Sequence, residues 1–187
     1  MNEEILFIDT ETGGLDPKQH SLLSVGLVVW SPAGIKASQE ILLKEKVFRI
    51  DHYALKVNKI DLTEHAAKAQ THAEGIRTLQ NFVQQNFSGK GIVLAGHNVG
   101  FDVGFVKQWF DEERLEFSSL FSHRSIDTHS ILSALYLSGL IPEKVTDSNK
   151  AFDYFKIEVE RRHTALSDAL ATALLFGKLL DLMRGRG

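Results

Sequence analysis

Cysteine is absent from this chain of 187 residues, which excludes disulfides and thiolate metal sites. Long apolar runs are absent too, and no stretch would span a bilayer. The opening Met-Asn-Glu-Glu is acidic where a signal peptide is basic. A cytoplasmic location and no membrane partner are therefore expected. There is no internal repeat, no low-complexity tract and no Pro/Gly/Ser-rich linker, so a single domain over 1–187 is expected. Nor is there an excess of positive charge: 21 Lys and Arg stand against 24 Asp and Glu, a net charge of -3. That balance counts against a protein that coats long nucleic acid by displacing counterions. It leaves room for one that grips a chain end with bound cations.

What is present is a core and a set of placed carboxylates. Hydrophobic residues make up 43% of the chain, as in ordinary globular proteins. The first apolar run, about Ile5 to Thr10, reads as a buried strand. Leu22 to Trp30 reads as a second, closed by the turn Ser31-Pro32-Ala33-Gly34, with a third within 37–50. Asp61-Leu62-Thr63 starts a helical stretch. Thr71 and Glu74 have capping-box spacing ahead of a helix to about Phe87. Ile92 to Ala95 is a short buried strand leading through Gly96-His97-Asn98 into a helix with Val99, Val103, Val106 and Phe110 at helical spacing. Further helices are expected from Asp127 to about Ser138, near 150–155, and from about Thr164 to Met183. Strands first, then strands alternating with helices, indicate an α/β fold with a mixed sheet.

Asp9 and Glu11 lie two apart at the end of the first strand and so share one sheet face. Two like charges held close need neutralising, which a hard cation does well. Alternatively Glu11 lies past the strand end in solvent and Asp9 caps a turn. Asp102 falls in a first helical turn, on one side with Phe105, Val106 and Trp109; it is either a site carboxylate or an acid that suits the helix dipole. Asp168 lies at the start of a helix apolar on much of its surface. His163 would be about 140° from Asp168 if both were helical. It can join Asp168 only from the entering loop, with Thr164 as N-cap. Together, four oxygen donors suit two Mg²⁺ or Mn²⁺ ions rather than zinc. Such a pair serves in-line displacement at phosphorus, with a histidine to take a proton from water.

The motifs FIDTETGGLDP (7–17), HNVGFD (97–102), SIDTHSIL (125–132) and HTALSDA (163–169) resemble, in order and over nearly the whole chain, those of the DEDDh 3′→5′ exonucleases. That family includes the epsilon subunit of DNA polymerase III, ribonuclease T and the TREX-type nucleases. The resemblance implies a ribonuclease H-like fold, a five-stranded mixed sheet flanked by helices. It implies Asp9, Glu11, Asp102 and Asp168 as ligands of two divalent ions, Mg²⁺ or Mn²⁺, with His163 as general base. It places Thr10, Thr12, Leu15, Asn98 and Phe101 around the terminal nucleotide. The implied partner is a nucleic acid 3′ end, DNA or RNA, and the product a nucleoside 5′-monophosphate. Where this chain has Gly13, members of the family often have Thr. Gly13-Gly14 reads as a floor where a nucleotide comes close to the backbone.

Other residues are read more plainly. Lys44, Lys46, Arg49, Lys56 and Lys59 could guide a strand or form a solvated mixed-charge surface with Glu45 and Asp51. Arg161 and Arg162, beside His163, are candidates for phosphate. His97 reads as a structural histidine, Asp127 as a helix cap, and Trp30 and Trp109 as core. Two rival functions stay open: a hydrolase of short oligonucleotides or nucleotides, and a proofreading subunit acting mainly through a polymerase. The chain stops at Gly187, directly after the last motif helix, which favours a stand-alone enzyme. A polymerase partner or a homo-oligomer is not distinguished by the sequence.

Overall fold

The computed structural model describes residues 4–58, 60–159 and 164–185. Its strands are β1 (Ile5–Thr12), β2 (Leu22–Ser31), β3 (Gly34–Lys44), β4 (Gln70–Thr71), β5 (Ile92–Gly96) and β6 (Phe121–Asp127). Its helices are α1 (His52–Asn58), α2 (Leu62–Lys68), α3 (His72–Asn86), α4 (Gly100–Glu112), α5 (Thr128–Leu137), α6 (Ser148–Tyr154) and α7 (Ala165–Met183). The sheet order is β4-β3-β2-β1-β5-β6. β1, β2 and β3 form an antiparallel meander, and β5 and β6 add in parallel on the other side of β1. The mixed sheet is as expected. It has six strands rather than five because two residues, Gln70 and Thr71, pair in parallel with Leu43 and Lys44 at the edge.

Local chemistry sets the helix boundaries. Asp61 caps α2, Thr71 and Glu74 form a capping box at α3, Asp127 caps α5 and Thr164 caps α7. The sequence pattern gave no sign of α1 and did not locate β6. Its segment, FSHRSID, has only Phe121 fully buried, so it lacks the apolar run of a central strand.

The two faces of the sheet are covered differently. Leu6, Ile8, Val25, Leu27, Ile41 and Leu43 point to one face, against α3 and α4 with Phe105, Trp109 and Phe110. Phe7, Val28 and Trp30 point to the other, against Ala169, Ala173 and Phe176 of α7. The alternation along β1 is the strand period of two. It dictates that Asp9 and Glu11 continue the α7 face, while Thr10 continues the α4 face. Behind α7, Leu132, Phe152 and Leu175 knit α5 and α6 onto it. No helix among the described residues is long and apolar enough to cross a membrane.

Candidate active site

Asp9 pairs in register with Gly26 on β2, and Gly26 with Glu40 on β3. Gly26 is the hinge of the site's construction. A Cβ there would lie 2.2 Å from the Ala165 carbonyl oxygen and 2.5 Å from the Leu166 nitrogen. The first turn of α7 therefore rests directly on bare backbone beside Asp9. Thr164 holds that turn by accepting from the Ser167 N–H at 3.2 Å. One turn in, Asp168 reaches the strand carboxylates: one oxygen from each of Asp9, Glu11 and Asp168 lies within 4.8 Å of the others. Glycine inside a strand is a signal of close backbone approach, yet reading 22–30 as one apolar run passed over it.

Asp102 comes from the other face. It is 4% exposed on α4, and the Thr10 hydroxyl donates to its Oδ1 at 2.7 Å. It is not one of the three clustered acids, but it is near enough to act on Glu11 electrostatically. Burial first, then the charges of Asp168, Glu40 and Asp102, push the Glu11 carboxyl up to about 7. Burial also pushes Asp102 up to about 7, against the hydrogen bond from Thr10. Glu40 was not anticipated; its place in the row Asp9–Gly26–Glu40 follows from strand register, which the sequence does not print.

The second motif is held by its neighbours. Asn98 is exposed and left-handed at φ 58, a conformation Asn tolerates. Its N–H donates to Asp127 Oδ1 at 2.7 Å, which also accepts from the His129 N–H at 3.1 Å. Asp127 thus caps α5 and pins the Asn98 loop at once. Burial pushes its carboxyl up, but hydrogen bonds from Ser130, Asn98 and His129 more than offset this and hold it low. His97 is half-buried with Nδ1 3.1 Å from the Thr128 hydroxyl. Burial and the neighbouring His129 push its pKa down, in line with a structural role. Phe101 packs on Phe105 at 5.1 Å. Leu15 is 84% exposed, while Thr10 and Thr12 are buried.

The protein's packing explains why Gly13 and Gly14 carry no side chain. A Cβ on Gly13 would meet the Arg49 carbonyl oxygen at 2.3 Å, and one on Gly14 the His20 ring at 2.3 Å. The protein's own packing fills that space. Arg49 is likewise spoken for: its guanidinium meets Glu45, Glu112 and the Lys18 carbonyl. It fastens the loop after β1 instead of facing a substrate strand. Trp109 and Trp30 are core, as expected. His163, Arg161, Arg162 and Lys59 lie outside the described residues.

Three buried or half-buried carboxylates, two at the end of β1 and one in the first turn of α7, all oxygen donors, fit a hard divalent cation. The comparisons agree with that chemistry. The exonuclease model of the ribonuclease T family matches residues 6–176, and the chain belongs to this family of exonucleases. It is 27% identical to a ribonuclease T of Wigglesworthia glossinidia brevipalpis, over 96% of this chain and 86% of that one. It is 24% identical to a PolC-type DNA polymerase III of Mycoplasmopsis pulmonis, over 82% of this chain but only 10% of the polymerase. Among solved structures it resembles the nuclease domain of 3′hExo, a DEDDh family member bound to rAMP. The TM-score is 0.78 at 15% identity, covering 96% of this chain and 92% of that one. The fold is therefore ribonuclease H-like, as the sequence motifs implied.

Proposed function

We propose that this chain is a single-domain 3′→5′ exonuclease that removes nucleoside 5′-monophosphates from a nucleic acid end. The observation that carries the reading is the convergence of Asp9, Glu11 and Asp168 within 4.8 Å, with Asp102 behind them on Thr10. The rAMP bound to the 3′hExo nuclease domain is a nucleoside monophosphate, which supports the product class.

Asp9, Glu11, Asp102 and Asp168 would hold two divalent ions, Mg²⁺ or Mn²⁺. Once bound, such ions polarise the phosphoryl group and acidify water. The chain's own residues do the rest. β1 and the first turn of α7 fix the carboxylates on rigid elements, where loop acids would wander. Thr10 keeps Asp102 aimed at the site by its hydroxyl. Leu15, exposed at the tip of the loop after β1, lies against the terminal base, with Thr12, Asn98 and Phe101 around the same nucleotide. His163, just before Thr164, takes the proton of the attacking water.

A ladder assay tests the reading. Matched 5′-labelled DNA and RNA strands should shorten from the 3′ end with Mg²⁺ or Mn²⁺ and stay intact with chelator. Digestion from the 5′ end, or in chelator, would refute it. His163→Ala should still bind metal while its rate falls by ~10²–10⁴, as for loss of a general base; lost metal affinity would make His163 a ligand instead. A second reading follows from the PolC-type relatives, which contain the matching segment as about a tenth of their length: activity within a polymerase. Co-sedimentation with a polymerase subunit, with faster digestion of mismatched ends, would favour it.

A further inference from the structure

Leu15 at 84%, Val47 at 77% and Tyr53 at 74% are among the most exposed large apolar side chains of the described residues. Exposed apolar residues scattered singly need no explanation. These three are not scattered. They fall on two segments that the backbone stitches together beside the carboxylates. The Gly13 N–H donates to the Ser21 carbonyl at 2.7 Å, the Ser21 N–H to the Arg49 carbonyl at 2.9 Å, and the Asp51 N–H to the Gly13 carbonyl at 2.6 Å.

Gly13 is two residues past Glu11. Leu15 is two past Gly13, and Tyr53 two past Asp51. Two residues reach at most about 7 Å. Leu15 and Tyr53 are thus both tethered within that reach of the Gly13–Asp51 bond. The Tyr53 N–H donates to Asp51 Oδ1 at 3.0 Å, which seats it at the start of α1. Arg49, tied to Glu45 and Glu112, fixes the segment from below. The exposed Lys46 directly precedes Val47 and the exposed Lys56 follows Tyr53 by three residues, so the segment carries positive charge of the kind that attracts phosphates.

We propose that Tyr53 forms a stacking subsite for an unpaired base upstream of the scissile bond, making a single-stranded 3′ end the preferred substrate. The inference rests on the exonuclease reading of the carboxylates. An aromatic side chain can stack on a base only where a base face is open. Within a duplex those faces are covered by neighbouring base pairs. In a single strand they are free, and each base that settles on a ring adds affinity without regard to sequence.

Three substrates test this: a single-stranded oligonucleotide of about eight nucleotides, the same strand in a blunt duplex, and the p-nitrophenyl ester of a nucleoside 5′-monophosphate. The ester has no upstream base. For Tyr53→Ala the KM of the single strand should rise roughly five- to a hundredfold with kcat held. Tyr53→Phe should restore it, and the ester should not register the change. The preference for single strand over duplex should shrink in the same variant. An unchanged single-strand KM would overturn the subsite, as would an equal change on the ester. So would a shift of oligomeric state in light scattering in place of the KM change, which would make Tyr53 a contact between copies. Should the unmodified chain cleave none of the three, the exonuclease reading fails by itself. Equilibrium binding of the oligonucleotide to the unmodified and Tyr53→Ala chains needs no turnover and still decides the subsite.

Discussion

The two faces of the sheet contribute to one site by different means. On the α7 face a helix is laid on bare backbone: Gly26 removes the side chain that would keep α7 away, and Asp168 comes within reach of Asp9 and Glu11. On the α4 face the helix stands off on Phe105, Trp109 and Phe110, and Asp102 is joined to the strand by the Thr10 hydroxyl. Close docking puts three carboxylates together, one oxygen of each within 4.8 Å of the others. The stand-off arrangement gives a single buried acid with a partner. The α7 side should therefore tolerate almost no change in backbone position, and the α4 side should respond chiefly to changes in hydrogen bonding.

Breaking the acid cluster itself should have the largest effect. Asp168→Asn should lower kcat on the order of 10³-fold and weaken metal binding, read by turnover and by titration of Mn²⁺. Next comes Gly26→Val. The new side chain meets the backbone of α7, which cannot swing aside as a flexible side chain could. Stability should fall by about 1–3 kcal/mol in denaturant unfolding, and the rate by about 10²-fold as Asp168 is displaced. If Gly26→Val lost stability but kept full turnover, close docking would not be what positions Asp168.

Thr10→Val keeps the volume and removes the donor to Asp102. The cost should be smaller, about tenfold in rate at neutral pH, as for one hydrogen bond to a charged group. Losing a bond that favours the charged form raises the Asp102 pKa further. The acid limb of the pH–rate profile should move up, and activity should recover at alkaline pH.

The smallest effect concerns stability against pH. Glu11 is raised from 4.5 to about 7, so the folded chain holds a proton there that the unfolded chain releases. Asp102, raised from 3.8 to about 7, acts in the same sense. Stabilisation from these groups is complete below their unfolded pKa values and is lost as pH rises through about 7. In chelator, Tm should be lower by a few degrees at about pH 8 than at about pH 5. Added Mn²⁺ should reverse the order, because ion binding to the folded chain favours the ionised acids. A Tm independent of pH in chelator would show that burial does not raise these two acids in the folded chain.

Much of this was legible in the chain. Asp9 and Glu11 share a face because a strand has a period of two, and Thr164 caps α7 because its hydroxyl falls three residues before Ser167. Asp61, Thr71 and Asp127 are caps for equally local reasons. Local spacing says nothing about which face a helix covers. It therefore could not tell that Asp102 approaches from the face opposite Asp168, or that Glu40 joins the row across Gly26. Gly13 shows the same limit. Its neighbour is the Arg49 carbonyl, distant in sequence, and proximity of that kind is set by chain crossings.

The sequence by itself determined the acids, their carriers and the capped helices, since each depends on hydrogen bonds and side-chain periods within a few residues. Only the tertiary structure decided how those acids meet. Their separation depends on where α7 comes to rest, and that is set by a missing Cβ on a strand it does not adjoin in sequence.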